Sequence, residues 1–207
     1  MTFLFTHWAE IGRLTLQHLA LVFTGLGIAL AIALPLGIFA ARVQRASAPL
    51  FGLLAAIYAI PSLALLAMLV KYFGLGAAPV VIVLAAYAQF ILVRNIAAAL
   101  RAVPAAQKDA ARGIGMSAWQ QFWRVELPLA TPVMLGGLRL ATVALIAIAM
   151  LGGYVGAGGL GNEIFLGLQR RYSEQVLAGS IPAALLAIAA DAAFRGLERL
   201  ATRRISG

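Results

Sequence analysis

The sequence has no cysteine, two histidines and two lysines, and only 11% of its 207 residues are charged. Without cysteine there are no disulfide frameworks or thiolate metal sites, and the redox compartment stays open. His7 and His18 lie eleven residues apart with no carboxylate beside either, which argues against a histidine-built catalytic or metal centre. A soluble domain needs roughly a quarter of its residues charged to cover its surface, so a soluble globular fold is excluded. Acidic residues are also scarce, seven against sixteen Lys and Arg, for a net charge of +9. That excess could suggest nucleic acid, but placement matters more than the total. The basic residues fall between long apolar runs, and 63% of the chain is hydrophobic. This is the composition of a polytopic membrane protein.

A bilayer core of about 30 Å needs ~20 apolar residues per helix. Five segments meet that length: 19–41, 50–70, 76–93, 132–152 and 176–194. The expected fold is all-α, a single transmembrane domain over 1–207 with five spanning helices. Residues 1–18 lack a basic n-region, so the first span is read as retained rather than as a signal peptide. Phe5, Trp8, Ile11 and Leu14 at helical spacing predict a short interfacial helix before it. Eleven Lys and Arg fall on one side of the spans (Arg42, Arg45, Arg94, Arg101, Lys108, Arg112, Arg124, Arg195, Arg199, Arg203, Arg204) and four on the other (Arg13, Lys71, Arg170, Arg171). The rich side faces the cytoplasm. This puts the N-terminus outside, the C-terminus inside and the 94–131 loop in the cytoplasm. Small residues such as Gly25, Gly27, Gly136 and Gly137 predict close helix approach. Pro35 and Pro61 predict kinks or re-satisfied backbone.

The long cytoplasmic loop carries the strongest signal. Residues 107–114 read as helix, Gly115 breaks it, and Ser117-Ala-Trp-Gln120 matches a capping box that restarts it, with Pro128 as the stop. Met116, Trp119, Phe122 and Trp123 are apolar knobs on a polar connection. Such knobs suit a docking element that fills a groove in another protein. Equally, they suit aromatics packed under the loop or resting on the membrane interface. A DNA-binding helix-turn-helix is disfavoured: flanking spans would pin it to the membrane, and it lacks a dense basic face.

Asp109-Ala110-Ala111, three residues, Gly115, nine residues, Val125, one residue, Leu127-Pro128 resembles the EAA loop of ABC importer permeases, with Asp for Glu and Val for Ile. His18-Leu-Ala-Leu-Val22, Leu34-Pro-Leu-Gly37, Ile60-Pro-Ser-Leu63, Val93-Arg-Asn95, Glu126-Leu-Pro128, the 156–161 glycine run and Ile181-Pro-Ala-Ala-Leu-Leu186 are similar to permeases for glycine betaine, choline and carnitine. The glycine run alone is shared with methionine and phosphonate permeases. The resemblance implies a five-span permease of the bacterial inner membrane, paired with a second copy or paralogue. Two cytoplasmic ATP-binding subunits and an external substrate-binding protein would complete the importer. It also implies that Asp109, Ala110, Ala111, Gly115, Met116, Trp119, Trp123, Leu127 and Pro128 couple ATP hydrolysis on the partner to the helices. ATP and Mg would then belong to the partner, leaving this chain with no cofactor, metal or catalytic residue, and no nucleic-acid partner.

Gly156, Gly158, Gly159 and Gly161 formally match a dinucleotide fingerprint, but no βαβ unit surrounds them. They are read as a tight external re-entry, with Asn162 capping a short helix to about Gln169 and with the binding protein as one candidate contact. Pro61 and Ser62 sit mid-span, where a break lines a substrate path or Ser62 satisfies the freed groups of a plain kink. Tyr58 and Tyr87 offer π faces to a quaternary ammonium or simply pack. Arg139 is near enough to snorkel to the interface, Asp191 and Arg195 are spaced to pair, and Gln89 and Thr142 have no assignable partner. An ion-coupled carrier would need ionisable residues deep in the membrane, and a membrane enzyme a cluster of acid, base or nucleophile. Neither is evident.

Overall fold

The computed structural model describes Phe3 and residues 6–206, with side chains through residue 203. Phe5 and the side chain of Arg204, both used above, lie outside the described residues. Among the described residues, all regular structure is helical. The elements are α1 (Trp8–Arg42), α2 (Gln44–Ala59), α3 (Ser62–Phe73), α4 (Ala77–Ala102), α5 (Ala105–Gly113), α6 (Ala118–Gln121), α7 (Leu127–Ile148), α8 (Gly161–Gln169) and α9 (Ser173–Ser206). A π turn (Phe122–Glu126) joins α6 to α7, and a 3-10 turn (Ala149–Val155) follows α7. Four stretches are long and apolar enough to cross a membrane: α1, α4, Ala118–Val155 and Ser173–Arg203. A fifth exists only if α2 and α3, bent by 86° at their junction, count as one.

Four local expectations need correction. Among the described residues, the expected interfacial stretch is not separate from the first span, because Trp8, Ile11 and Leu14 lie in α1, which runs unbroken to Arg42. Ile11 and Leu14 pack against Leu160 and Ala178 rather than lying on a lipid interface. The second span is broken, since Pro61 pushes Ile60 into extended backbone (φ −64°, ψ 130°). The third does not end at residue 93. Buried Ile96, Ala97, Ala99 and Leu100 carry the apolar face on to Ala102, so Arg94 is about 12 Å inside the helix end. The fourth begins before Pro132, at Leu127, and Pro128 sits in its first turn instead of stopping a helix.

The core lies between α1, α4 and α7, with Val22, Ala29, Leu84, Val93, Ala141 and Leu145 almost fully buried. Small residues set the spacing: a Cβ on Gly25 would stand 2.7 Å from that of Leu84, and one on Gly137 2.4 Å from that of Asn95. Lipid gives helices no hydrophobic reason to associate, so close backbone approach supplies the contact. Buried amide and hydroxyl donors find carbonyl partners. Gln89 donates to the carbonyls of Ala29 and Ala85 at 3.1 and 3.2 Å, and Thr142 to that of Leu138 at 2.8 Å. Arg139 is ion-paired across to α9, 3.5 Å from Asp191 and 3.1 Å from Glu198, and Asp191 also pairs with Arg195.

Two loops mark opposite ends of this bundle. Arg42, at the close of α1, reaches Glu126 of the 103–128 loop, while Gln17 and His18, some 36 Å earlier on the same helix, reach the glycine loop and α7.

Candidate functional site

The 103–128 loop is a helix, a turn and a second helix. Pro104 precedes α5, and Gly115 at φ +79° reverses the chain, a backbone conformation that costs an L-residue with a side chain. Ser117 then opens α6: its hydroxyl accepts from the Gln120 amide at 3.3 Å, and the Gln120 side chain accepts from the Ser117 amide at 2.9 Å. This is the capping box expected from the sequence. In place of a stop, the Leu127 amide bonds back to the Phe122 carbonyl, five residues away. Proline lacks an N–H and its ring collides with the carbonyl four residues back. A widened turn directly before Pro128 relieves both problems and lets the helix continue.

Of the four knobs, Trp119 and Trp123 point outward, while Met116 and Phe122 are half-buried and Phe122 packs against the core under Arg42. Ile114 is 75% exposed and Trp119 71%, and Trp119 meets Trp123 edge-on at 5.4 Å. Ala110, Ala111, Ile114, Met116, Val125 and Pro128 line an open groove of about 510 Å³ beside them. Asp109 lies on the solvent side, 3.2 Å from Arg112, both about two-thirds exposed, so this pair adds little stability. Leu127 is half-buried below. The structure therefore gathers Ala110, Ala111, Met116 and Pro128 at one groove and sets Trp119 and Trp123 on the adjoining surface.

One structural feature of the loop is invisible to sequence reasoning. Glu126 is nearly fully buried, and both its oxygens are taken by the Arg42 guanidinium at 3.2 and 2.5 Å, with Gln121 donating at 3.0 Å. Arg101 also donates to the Ala40 carbonyl at 2.5 Å. The loop is thus tied to the end of α1. Glu126 next to Leu127-Pro128 was visible as part of a motif, but nothing local names a partner 84 residues away.

At the broken span, the Tyr87 hydroxyl rather than Ser62 donates to the freed carbonyl of Ile60. Pro61 is exposed and Ser62 half-buried. Tyr58 and Tyr87 are adjacent, ring centres 5.5 Å apart, and Tyr58 stacks on Phe90 at 4.9 Å. Tyr87 is buried, so the open π face belongs to Tyr58.

The glycine loop is packed tightly. Gly156, Gly158 and Gly159 all have φ between +70° and +81°. Gly159 donates its amide to the Gln17 side chain at 3.3 Å and lies against His18, whose Nε2 donates to the Ile146 carbonyl at 3.0 Å. A Cβ on Gly161 would stand 1.8 Å from the Met150 carbonyl oxygen. Asn162 is not a cap, because α8 starts one residue earlier behind Leu160. A 3-10 turn rather than a strand precedes these glycines, so the dinucleotide reading has no structural support.

Residues 33–207 match the family described as binding-protein-dependent transport system inner membrane component. The chain belongs to that family. It is 33% identical over 202 residues to the glycine betaine/carnitine/choline transport system permease protein OpuCB of Bacillus subtilis, covering 98% of this chain and 93% of that one. It is 36% identical over 186 residues to the osmoprotectant import permease protein OsmW of Salmonella typhimurium, covering 87% and 86%. Among solved structures, the inward-facing MetNI methionine ABC transporter superposes with a TM-score of 0.79 at 23% identity, over 92% of this chain and 95% of that one. An amino acid ABC transporter with histidines gives 0.69 at 19% identity, over 96% and 95%. These likenesses show the fold: this permease is a multi-pass membrane protein built like the membrane subunit of an ABC importer.

Proposed function

We propose that this permease forms the membrane passage of an importer for quaternary-amine osmoprotectants of the glycine betaine, choline and carnitine kind. The names of its relatives support that substrate class. The observation that carries the importer reading is the 105–128 helix pair, with Ile114 and Trp119 exposed beside an open groove. Such a surface suits a hold on two separate ATP-binding subunits. No Gly-Lys-Ser/Thr occurs in the chain, whose two lysines follow Val70 and Gln107, so ATP and Mg belong to those subunits. The excess of Lys and Arg at the loop end orients that end to the cytoplasm of a bacterial inner membrane. An external binding protein delivers solute at the glycine-loop end, and a second copy or a paralogue closes the passage. ATP-driven closure of the partners moves the gripped loop, and the Arg42–Glu126 tie passes the motion to α1. The likeness to a methionine transporter is at 23% identity and speaks for fold alone.

The test is uptake of radiolabelled choline and glycine betaine, with and without this gene, at high and low osmolarity. Deletion is expected to abolish ATP-dependent uptake. Unchanged uptake in a strain with no redundant system overturns the substrate class, and uptake driven by membrane potential alone overturns the importer.

A further inference from the structure

Arg139 and Arg94 both lie on spanning helices, α7 and α4, and the fold treats them differently. Arg139 is paired with Asp191 and Glu198. Arg94, about 12 Å inside α4, meets no carboxylate among the described residues. Its guanidinium rests 5.0 Å from the ring centre of Phe90 and 5.9 Å from that of Phe51. A charge on a membrane-spanning helix is costly against lipid and faces a bundle interior or a wet passage instead. Arg94 is exposed, and with Phe90, Asn95 and Leu140 it lines an open cavity of about 410 Å³ between α4 and α7. One turn back along α4, Phe90 stacks on Tyr58, which is 38% exposed beside the broken span. Each lies about 5 Å from the Phe90 ring centre, so guanidinium and tyrosine ring are at most about 10 Å apart.

We infer that Tyr58, Phe90 and Arg94 form a two-ended resting site in the passage, which takes a quaternary ammonium on its aromatic end and a carboxylate on Arg94. The inference rests on the proposed substrate class and adds a charge selection within it. A quaternary ammonium has no N–H to donate, so a π face is the protein surface suited to it. A carboxylate accepts two parallel hydrogen bonds from a guanidinium. Arg94 offers them without first leaving a protein carboxylate. Choline has the ammonium and no carboxylate, so it gains only the aromatic end and meets Arg94 as a like charge. Arg94 would therefore favour carboxylated betaines over choline after both have left the binding protein.

The experiment uses the complete importer, with its ATP-binding subunits and binding protein, reconstituted in vesicles. Initial ATP-dependent uptake of glycine betaine and of choline is measured from saturated binding protein. Arg94→Gln is expected to lower the betaine-to-choline ratio about tenfold, the value of one charge-assisted contact. Arg94→Lys keeps most of the ratio, and Tyr58→Leu lowers both solutes together. An unchanged ratio in Arg94→Gln, or an equal loss of both solutes, overturns the inference and leaves the importer reading intact. Undiminished uptake in Tyr58→Leu removes the aromatic end and overturns it as well. A wild-type importer that moves choline and no carboxylated solute also overturns it. One that moves neither overturns the proposed substrate class, and this inference with it.

Discussion

The 103–128 loop and the loop that follows α7 both turn the chain back, at opposite ends of the bundle, and both depend on glycine. Both use it for positive φ, at Gly115 in the first and at Gly156, Gly158 and Gly159 in the second, but only the second also uses it for close approach. Gly115 has no atom within 4 Å of where its Cβ would be and is needed only for its φ of +79°. Gly161 has an ordinary backbone, but its Cβ would collide with the Met150 carbonyl at 1.8 Å. The first loop turns Ile114, Trp119 and Trp123 outward, while the second folds its glycines against Gln17, His18 and Met150. A loop with free space around its turn can be gripped and moved by a partner. A loop packed at backbone contact acts as a fixed end against which the rest can move.

The largest effect should come from filling the packed loop. Gly161→Ala is expected to cost about 3 kcal/mol or more by overpacking, seen as a lower Tm of the detergent-solubilised protein or its loss from the membrane. Next comes the tie between the two regions. Arg42→Met leaves the buried Glu126 carboxylate with Gln121 alone; because Arg42 is half-exposed, the expected loss is about 2 kcal/mol. Adding Glu126→Leu should recover most of it, and a double variant no more stable than Arg42→Met shows that the pair is not the cause. At the open loop stability should barely follow function. Gly115→Val strains one residue by about 1–2 kcal/mol yet should abolish ATP-driven uptake, and normal uptake in this variant would sink the gripped-loop reading. Smallest for the fold is Trp119→Ala. At 71% exposure it should change stability by no more than about 0.5 kcal/mol, while capture of purified ATP-binding subunit by the permease falls about tenfold or more. Equal capture makes the tryptophan a membrane-interface residue instead.

What could be read from the sequence was local. The apolar runs, the glycine break and the Ser117–Gln120 box depend on residues within a turn or two of each other, and each is present. Pairings across the fold were not legible: Arg42 with Glu126, His18 with Ile146 and Tyr87 with Ile60 join residues 84, 128 and 27 positions apart. Two errors came from applying a local rule too far. Arg94 and Asn95 looked like the end of a span, although Ile96 and Leu100 continue its buried face for two more turns. Pro128 looked like a stop, although the turn before it had already widened to admit it. Of the candidate path, the proline break was plain from sequence. The stacking of Tyr58 on Phe90 was not, since it needs the α2–α4 packing, whereas Phe90 and Arg94 sit one turn apart on α4.

The widened turn at Phe122–Glu126 also sets an angle. Fitting one surplus residue into a helix without adding a turn rotates everything beyond it by about 100° relative to an uninterrupted α-helix. Trp119 stands before that offset, Trp123 lies within it, and Ala130, Gly137 and Ala141, which face the core, stand beyond it. A chain one residue shorter here would keep every one of those side chains and point the tryptophans to a different quarter of the compass. The bearing on which a partner must approach to swing the inner helices is therefore held by a count of residues rather than by the identity of any of them.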